Sequence, residues 1–290
     1  MPSSKSRRPT PNDLAVWLVT RASKIGALRY RDQPVGRFYD AHFAERHVQQ
    51  YESDIRMQMR RTSVAYALAN IPDDSRVLDV GCGIGDVVRT LSRRGMRVTG
   101  VDIAEHSLRI ARGASQQGDY VVASADRLPF EDGTFDALVS IEVLEHLPDD
   151  HAAATEMARV LKPNGLLVVS VPNHYYFQSY RRLMGHFRHY DRQSLLAIAD
   201  QAGLILDRSL AQHRTLNAVH LYVYAGLRGL ALVSSRVSGQ DVSAYSLTLP
   251  GRRETIYEQL KRLWFTRLVD KVPSNDDGPR QTFFSFRKAL

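Results

Sequence analysis

The chain has 290 residues, an apolar fraction of 43% and a single cysteine, Cys82. This composition suits a globular core and excludes a disordered chain, and one cysteine excludes an internal disulfide, which favours the reducing cytoplasm. The net charge of +8 favours anionic partners such as nucleic acid, anionic lipid or a phosphorylated small molecule. The alternative is a basic surface that contacts only solvent.

Short apolar segments alternate with helical segments through the middle of the chain. The predicted strands are Arg76–Val80, Arg97–Val101, Tyr120–Ala123, Phe135–Ser140, Leu166–Val171 and Leu204–Leu210. The predicted helices between and after them are Asp86–Arg94, Glu105–Arg112, His151–Leu161 and Arg192–Ala202. This alternation predicts βαβ units and a parallel sheet that is covered on both faces.

The two ends of the chain add to this core. Thr282–Arg287 alternates like a last strand, and the segment 211–280 before it is far longer than an ordinary loop and predicts two helices, Leu216–Arg236 and Glu254–Lys271. We expect a hydrophobic lid there, with contact to a membrane surface as the alternative. The predicted parts are residues 1–56 (tail and helical lid), 57–210 (core), 211–280 (helical insertion) and 281–290 (last strand).

The most informative segment is the glycine turn that follows the first predicted strand, with Gly81, Gly83 and Gly85. Parallel folds bind nucleotides at such a turn, where glycine lets the backbone approach a ligand closely. The spacing lacks the third glycine of the dinucleotide pattern, and Asp86 in its place would repel a pyrophosphate. A ligand that joins adenosine to an amino acid fits better, and Asp79 is placed to hold its ammonium group.

Two more carboxylates stand at the ends of the next predicted strands. Asp102 ends the second strand, where an acidic residue can accept hydrogen bonds from ribose hydroxyls. Asp126 follows the third strand and is placed to accept a hydrogen bond from an adenine amino group. Each of these features alone is usually structural, but their order on successive strand ends predicts an adenosine site.

These motifs resemble the class I S-adenosylmethionine-dependent methyltransferases, in particular the ubiquinone-biosynthesis O-methyltransferase-like branch. The motifs that carry the resemblance are Val77–Gly85, Asp102, Asp126–Phe130 with Phe135–Asp136, Ile141–Asp149 and Arg159–Leu166. The resemblance covers residues 57–210 and implies a Rossmann-like, doubly wound α/β fold, whose seven-stranded sheet has an antiparallel last strand. It also implies S-adenosyl-L-methionine as the cofactor.

The resemblance assigns roles along the cofactor. Arg61, on a helix before the glycine turn, would bind the cofactor carboxylate, although Arg60 carries the same charge. The glycine turn would line the methionine part, and the later residues would line the ribose and adenine. The cofactor-binding residues so predicted are Arg61, Asp79, Gly81, Cys82, Gly83, Asp102, Ile103, Asp126, Arg127 and Ile141.

Glu142, Glu145 and His146 follow the fourth predicted strand and share one face if Glu142 opens a helix. Two carboxylates and an imidazole can bind a divalent cation, as the similar motif of the ubiquinone-type enzymes implies. His146 is also the candidate catalytic residue, a general base for a hydroxyl, because imidazole titrates near neutral pH. The alternative is that Glu145 and His146 only shape the cofactor loop.

A second set of polar residues lies beyond the last core motif. Related methyltransferases carry a stretch similar to the one at residues 185–190 near the mouth of the site. The residues predicted to orient a polar acceptor are His174, His186, Arg188, His189 and Tyr190. The alternative is a structural loop that Arg188 holds together.

We therefore expect O-methylation of a small-molecule or lipid-linked acceptor in the cytoplasm, with peripheral contact to the inner face of the membrane as an addition. An S-adenosylmethionine-binding regulatory protein and an RNA methyltransferase are the alternatives. Nucleic acid is disfavoured because Ser140–Val143 lacks the Asn/Asp-Pro-Pro-aromatic pattern of base amino-group methylases. A nicotinamide oxidoreductase is disfavoured by the glycine spacing and by Asp86.

Overall fold

The structure is a computed structural model that describes residues 55–115, 117–172, 186–211, 272–273 and 282–290. The predicted N-terminal helices, His174 and the two predicted helices of the segment 211–280 lie outside the described residues.

One mixed sheet forms the centre of the molecule. Its strands are β1 (Arg76–Val80), β2 (Arg97–Asp102), β3 (Asp119–Val122), β4 (Phe135–Ile141), β5 (Leu161–Val171), β6 (Leu204–Ala211), β7 (Val272–Pro273) and β8 (Thr282–Lys288). Their order is β3-β2-β1-β4-β5-β8-β6-β7. The pairs from β3 to β5 are parallel, and β8 is antiparallel to both β5 and β6. The predicted seven-stranded sheet with an antiparallel last strand is confirmed, and the two-residue β7 extends its edge.

Helices connect the strands at the predicted places. They are α1 (Ile55–Ala67), α2 (Asp86–Ser92), α3 (Glu105–Ala114), α4 (Asp150–Val160) and α5 (Arg192–Gln201), with a short 3-10 helix at Leu144–His146. Asp191 caps α5, as predicted, by accepting a hydrogen bond from the Ser194 amide at 2.7 Å. None of the helices in the described part of the chain is long and apolar enough to cross a membrane.

The sheet is buried on both faces, which explains why its strands read as continuous apolar runs. Leu78 and Leu138 belong to one buried cluster, whereas their neighbours Val77 and Val139 belong to the cluster on the opposite face. Both clusters exclude solvent from the sheet, so the polar groups of the site can meet only at its edge.

The order of the strands decides which edge carries the site. β1 lies between β2 and β4. The connections after β1 and β2 therefore lead toward one edge of the sheet, and the connection after β3 leads back past β1 toward the other edge. A crevice opens at the carboxyl ends of the strands where the winding reverses in this manner. The register pairs Val80 with Val101 on one side and with Ser140 on the other. Gly81, Asp102 and Ile141 therefore come together at this edge.

Candidate active site

The glycine turn after β1 holds the backbone in a left-handed conformation that favours glycine. Gly81 and Gly83 have φ values of 72° and 51°. The amides of Gly81 and Cys82 both donate to the Val101 carbonyl, at 2.7 Å and 3.0 Å, which ties the turn to β2. A Cβ atom on Gly83 would meet no atom of the described residues within 4 Å, so among these residues the glycine faces open space. A ligand can therefore approach the backbone at Gly83.

Asp102 fixes the shape of this turn. One carboxylate oxygen accepts a hydrogen bond from the Gly83 amide and the other accepts one from the Ala104 amide, both at 2.8 Å. A carboxylate oxygen has two lone pairs and can accept from more than one donor, and the contact of Asp102 with the ribose hydroxyls stays a prediction. The next residue, Ile103, is 46% exposed at the same edge. An exposed apolar side chain there fits the predicted contact with the cofactor.

Asp79 is a buried carboxylate beneath the glycine turn. Its side-chain oxygen Oδ2 has no hydrogen-bond partner among the described residues. Burial raises the pKa of Asp79 from 3.8 to about 8, against the opposing charge of Arg60. A buried acceptor without a donor costs about 1–3 kcal/mol. The ammonium group of an amino-acid ligand supplies such a donor, so Asp79 fits its predicted role.

Two neighbouring arginines of α1 differ in what they contact. Arg61 donates to the buried Asp86 carboxylate at 2.7 Å and so anchors α1 to the start of α2. Arg60 is the arginine whose positive charge lowers the pKa of both Asp79 and Glu145. That Arg61 binds the cofactor carboxylate stays a prediction, with Arg60 as the alternative.

The adenine end of the predicted site lies on an exposed loop after β3. Asp126 and Arg127 are both exposed there. The loop is held from below by Arg159, which donates to the carbonyl oxygens of Leu128 and Phe130 at 3.0 Å and 2.8 Å. Sequence reasoning placed Arg159 in a motif but missed this function. The sequence feature that could have indicated this role is the position of Arg159 in the last turn of α4.

Two predicted cofactor residues are buried beside the turn. Ile141, at the end of β4, is only 5% exposed and supports the site from within the sheet. The Cys82 thiol is also buried, and burial raises its pKa above the ordinary value. The thiol is therefore not a reactive nucleophile, because reactivity requires the thiolate.

Glu142 does not open a helix, so the condition under which Glu142, Glu145 and His146 would share one face is not met. The Glu142 amide donates to the Ser170 carbonyl at 2.8 Å, which continues the pairing of β4 with β5. Glu142 then turns the chain with a φ of 58°, and only Leu144–His146 forms a helical turn. The chain has to leave the sheet before it can wind into a helix, so Glu142 stands apart from that turn.

His186 takes the place beside Glu145 and His146. Its ring packs edge-on against the His146 ring, with centroids 4.4 Å apart. The ligand atoms of Glu145, His146 and His186 all lie within 4.8 Å of one another. Burial lowers the pKa of His146 to about 4 and that of His186 to about 2. Burial and the Glu142 charge raise the pKa of Glu145.

Arg188 and Tyr190, predicted to orient an acceptor, bind the protein instead. Both donate to the carboxylate of Asp150, Arg188 to Oδ1 and Tyr190 to Oδ2 at 2.8 Å. Arg188 also donates to the Pro148 carbonyl at 2.5 Å. These contacts favour the structural alternative for the loop. Of the predicted acceptor set, His186 lies beside Glu145 and His146, and His189 contacts His186.

The fold and the glycine turn define the class: a Rossmann-like fold of the methyltransferase type. Residues 78–169 match the family described as a methyltransferase domain, which confirms the predicted resemblance. Residues 78–169 therefore form a methyltransferase domain.

Among the curated proteins, the ubiquinone biosynthesis O-methyltransferase of Xanthomonas oryzae pv. oryzae (strain PXO99A) is 43% identical over 104 residues, which cover 34% of this chain and 44% of that protein. The match thus spans less than half the length of that relative. The phosphoethanolamine N-methyltransferase 2 of Haemonchus contortus, solved with S-adenosyl-L-methionine, has a TM-score of 0.55 at 20% identity, over 80% of this chain and 53% of that one.

The [4+2]-cyclase SpnF has the same TM-score of 0.55 at 19% identity, over 81% of this chain and 82% of that one. A cyclase and a methyltransferase are thus equally similar to this structure. Since one fold serves several reactions, this likeness shows the fold alone.

Proposed function

We propose that the chain is an S-adenosylmethionine-dependent methyltransferase that methylates an oxygen of a small-molecule or lipid-linked acceptor. The observation that carries the proposal is the buried Asp79 carboxylate, whose Oδ2 has no hydrogen-bond partner among the described residues, together with Gly83, where a Cβ atom would meet no described protein atom within 4 Å. The O-methyltransferase name of the Xanthomonas relative, which aligns over 104 residues, supports oxygen as the methylated atom. The net charge of +8 supports an anionic or lipid-linked acceptor.

The residues of this chain bind and position the reactants. S-adenosylmethionine supplies an activated methyl group, and holding both reactants in line provides a large part of the catalysis. Asp79 binds the ammonium group, and Asp102 holds the Gly83 amide in place while it accepts the ribose hydroxyls. The acceptor oxygen bonds to the methyl carbon, the carbon–sulfur bond breaks with its electron pair going to sulfur, and the hydroxyl proton leaves to a base. That His146 is this base stays a prediction.

The proposal is tested by calorimetric titration of the full chain with S-adenosylhomocysteine, with NADH as the control. We expect one-to-one binding of S-adenosylhomocysteine and none of NADH, because Asp86 disfavours a pyrophosphate at the glycine turn. Binding of NADH alone would overturn the assignment of the cofactor. Transfer of a labelled methyl group to hydroxylated lipids or phenols, rather than to amines or RNA, then tests the acceptor class.

The affinity for S-adenosylhomocysteine should depend on pH through Asp79. Its pKa of about 8 lies above the ordinary 3.8, so the free protein holds a proton there below pH 8. An ammonium ligand binds the carboxylate, so affinity should rise with pH by up to about tenfold per unit and level off above pH 8. Titrations between pH 6 and pH 9 measure this slope.

Asp79→Asn provides the control for this pH dependence. The amide cannot titrate, so the variant should bind more weakly and without the slope. A slope that survives in Asp79→Asn would assign the titrating group elsewhere.

The cytoplasm is the proposed location, since the single cysteine, Cys82, suits a reducing compartment. Peripheral contact with the inner face of the membrane is the proposed addition for a lipid-linked acceptor. Co-sedimentation of the full chain with anionic vesicles would test that contact, and salt should weaken it.

A further inference from the structure

Glu145 is the most unusual side chain of the described core. It is 0% exposed, and neither carboxylate oxygen has a hydrogen-bond partner in the described part of the chain. Burying a carboxylate without donors is costly unless the group pairs with a cation or binds a metal. The Arg60 charge acts on Glu145, but Arg60 makes no hydrogen bond with it. In the described part of the chain, no lysine or arginine therefore meets the oxygens of Glu145 directly.

Two imidazoles converge on this carboxylate from different parts of the chain. The distance from His146 Nε2 to Glu145 Oε1 is 3.8 Å. His186 reaches the same point from the loop after β5, and the ligand atoms of all three residues lie within 4.8 Å of one another. The Phe187 amide donates to the Glu145 carbonyl at 2.7 Å, which fixes this loop against the short helix.

A fourth residue orients the second imidazole. His186 Nδ1 lies 2.9 Å from His189 Nε2, so one ring nitrogen of His186 is engaged by its neighbour. Histidines that bind metals commonly have their other ring nitrogen held in this way, and the holding group fixes the ring orientation. The arrangement thus contains three converging ligand atoms and a residue that orients one of them.

We propose that Glu145, His146 and His186 form a binding site for a divalent transition metal, with His189 as a positioning residue. This set differs from the one that the sequence motif implies, because the left-handed turn at Glu142 removes that residue from the short helix and His186 replaces it. Two imidazoles and one carboxylate select zinc, cobalt or iron rather than magnesium, which prefers oxygen ligands. A metal there supplies a positive charge that lowers the pKa of a coordinated hydroxyl.

The site is tested on the full chain, stripped of metal by a chelator and titrated with cobalt(II) or zinc(II). We expect one equivalent to bind, and cobalt absorption bands and X-ray absorption should report histidine nitrogen ligands. Glu145→Gln and His186→Ala should each lose at least about tenfold in affinity, and His189→Ala should lose about 10–100-fold, as is usual for a group that orients a ligand. Excess magnesium should not compete.

Two variants serve as controls. Glu142→Gln should bind cobalt as the unmodified chain does, and so should His151→Ala, which removes an exposed histidine of α4. Unchanged binding in His186→Ala would overturn the proposal, and so would loss of binding in Glu142→Gln alone. If His186→Ala fails to fold, the isosteric Glu145→Gln decides, because this carboxylate makes no hydrogen bond in the described structure that the substitution would break.

The result is independent of the proposed methyl transfer. Binding of S-adenosylhomocysteine by Glu145→Gln shows that the cofactor site is intact whether or not metal binds. Failure of the metal site and failure of the proposed function are therefore separate outcomes.

Discussion

Replacing Gly81 by alanine should unfold or severely destabilise the protein. The new Cβ would lie 2.2 Å from Cγ2 of Val143, which is far inside van der Waals contact, and the backbone φ of 72° is itself unfavourable for alanine. The left-handed backbone costs about 1–2 kcal/mol, and a forced contact in a packed core costs about 1–3 kcal/mol. A total near 3 kcal/mol lowers the melting temperature by roughly 6–12 °C. Thermal unfolding followed by circular dichroism measures the change.

Gly83→Ala is the matched control, because Gly83 also has a left-handed backbone but its Cβ would meet no atom within 4 Å in the part of the chain that the structure describes. We expect only the backbone cost of about 1–2 kcal/mol. The added methyl would point into the space assigned to the ligand, so the affinity for S-adenosylhomocysteine should fall by at least about tenfold. Full affinity in Gly83→Ala would show that the ligand does not bind at the turn. Equal stability of the Gly81→Ala and Gly83→Ala variants would contradict the contact with Val143.

Arg188→Ala should lower stability and leave cofactor binding unchanged. The substitution removes the charged partner of Asp150, whose carboxylate is only 2% exposed, and it also breaks the hydrogen bond to the Pro148 carbonyl. Breaking a fully buried pair costs about 3–5 kcal/mol. Because the Arg188 side chain is 34% exposed, solvent screening reduces our expectation to about 2–3 kcal/mol. Urea unfolding and titration with S-adenosylhomocysteine measure the two effects.

Arg208→Ala is the control for a surface arginine. Its side chain is 43% exposed and pairs with the adjacent Asp207, so its removal should change stability by less than about 0.5 kcal/mol. An Arg188→Ala protein that is as stable as the Arg208→Ala protein and has lost turnover would favour the predicted role in orienting the acceptor.

Local patterns were sufficient for most of the fold. Each predicted strand of the core appears at its place, since apolar runs bounded by glycine, such as Arg76–Val80 before Gly81, report burial on both faces of a sheet. The cap at Asp191 was predicted for the same reason, because a cap depends on residues only a few positions away. The two-residue β7 was not predicted, since so short a strand is set by its neighbour β6 rather than by its own sequence.

The site was predicted only in part. The order of Asp79, the glycine turn and Asp102 placed these groups at one edge, because the carboxyl ends of parallel strands meet there. The partners of individual charges were not predictable. Arg60 and Arg61 are adjacent and equally charged, and only the packing of α1 against α2 directs Arg61 to Asp86.

By itself the sequence determined the order of strands and helices, the glycine turn and the class of cofactor, because each rests on spacing within a short segment. Tertiary structure alone decided that Arg188 binds Asp150 and that His186 lies against His146 in place of Glu142. These contacts join residues about 40 positions apart, and the backbone turn at Glu142 that permits them depends on strand pairing between β4 and β5. Contacts between residues so far apart in the sequence form only when the chain folds, so no local sequence pattern predicts them.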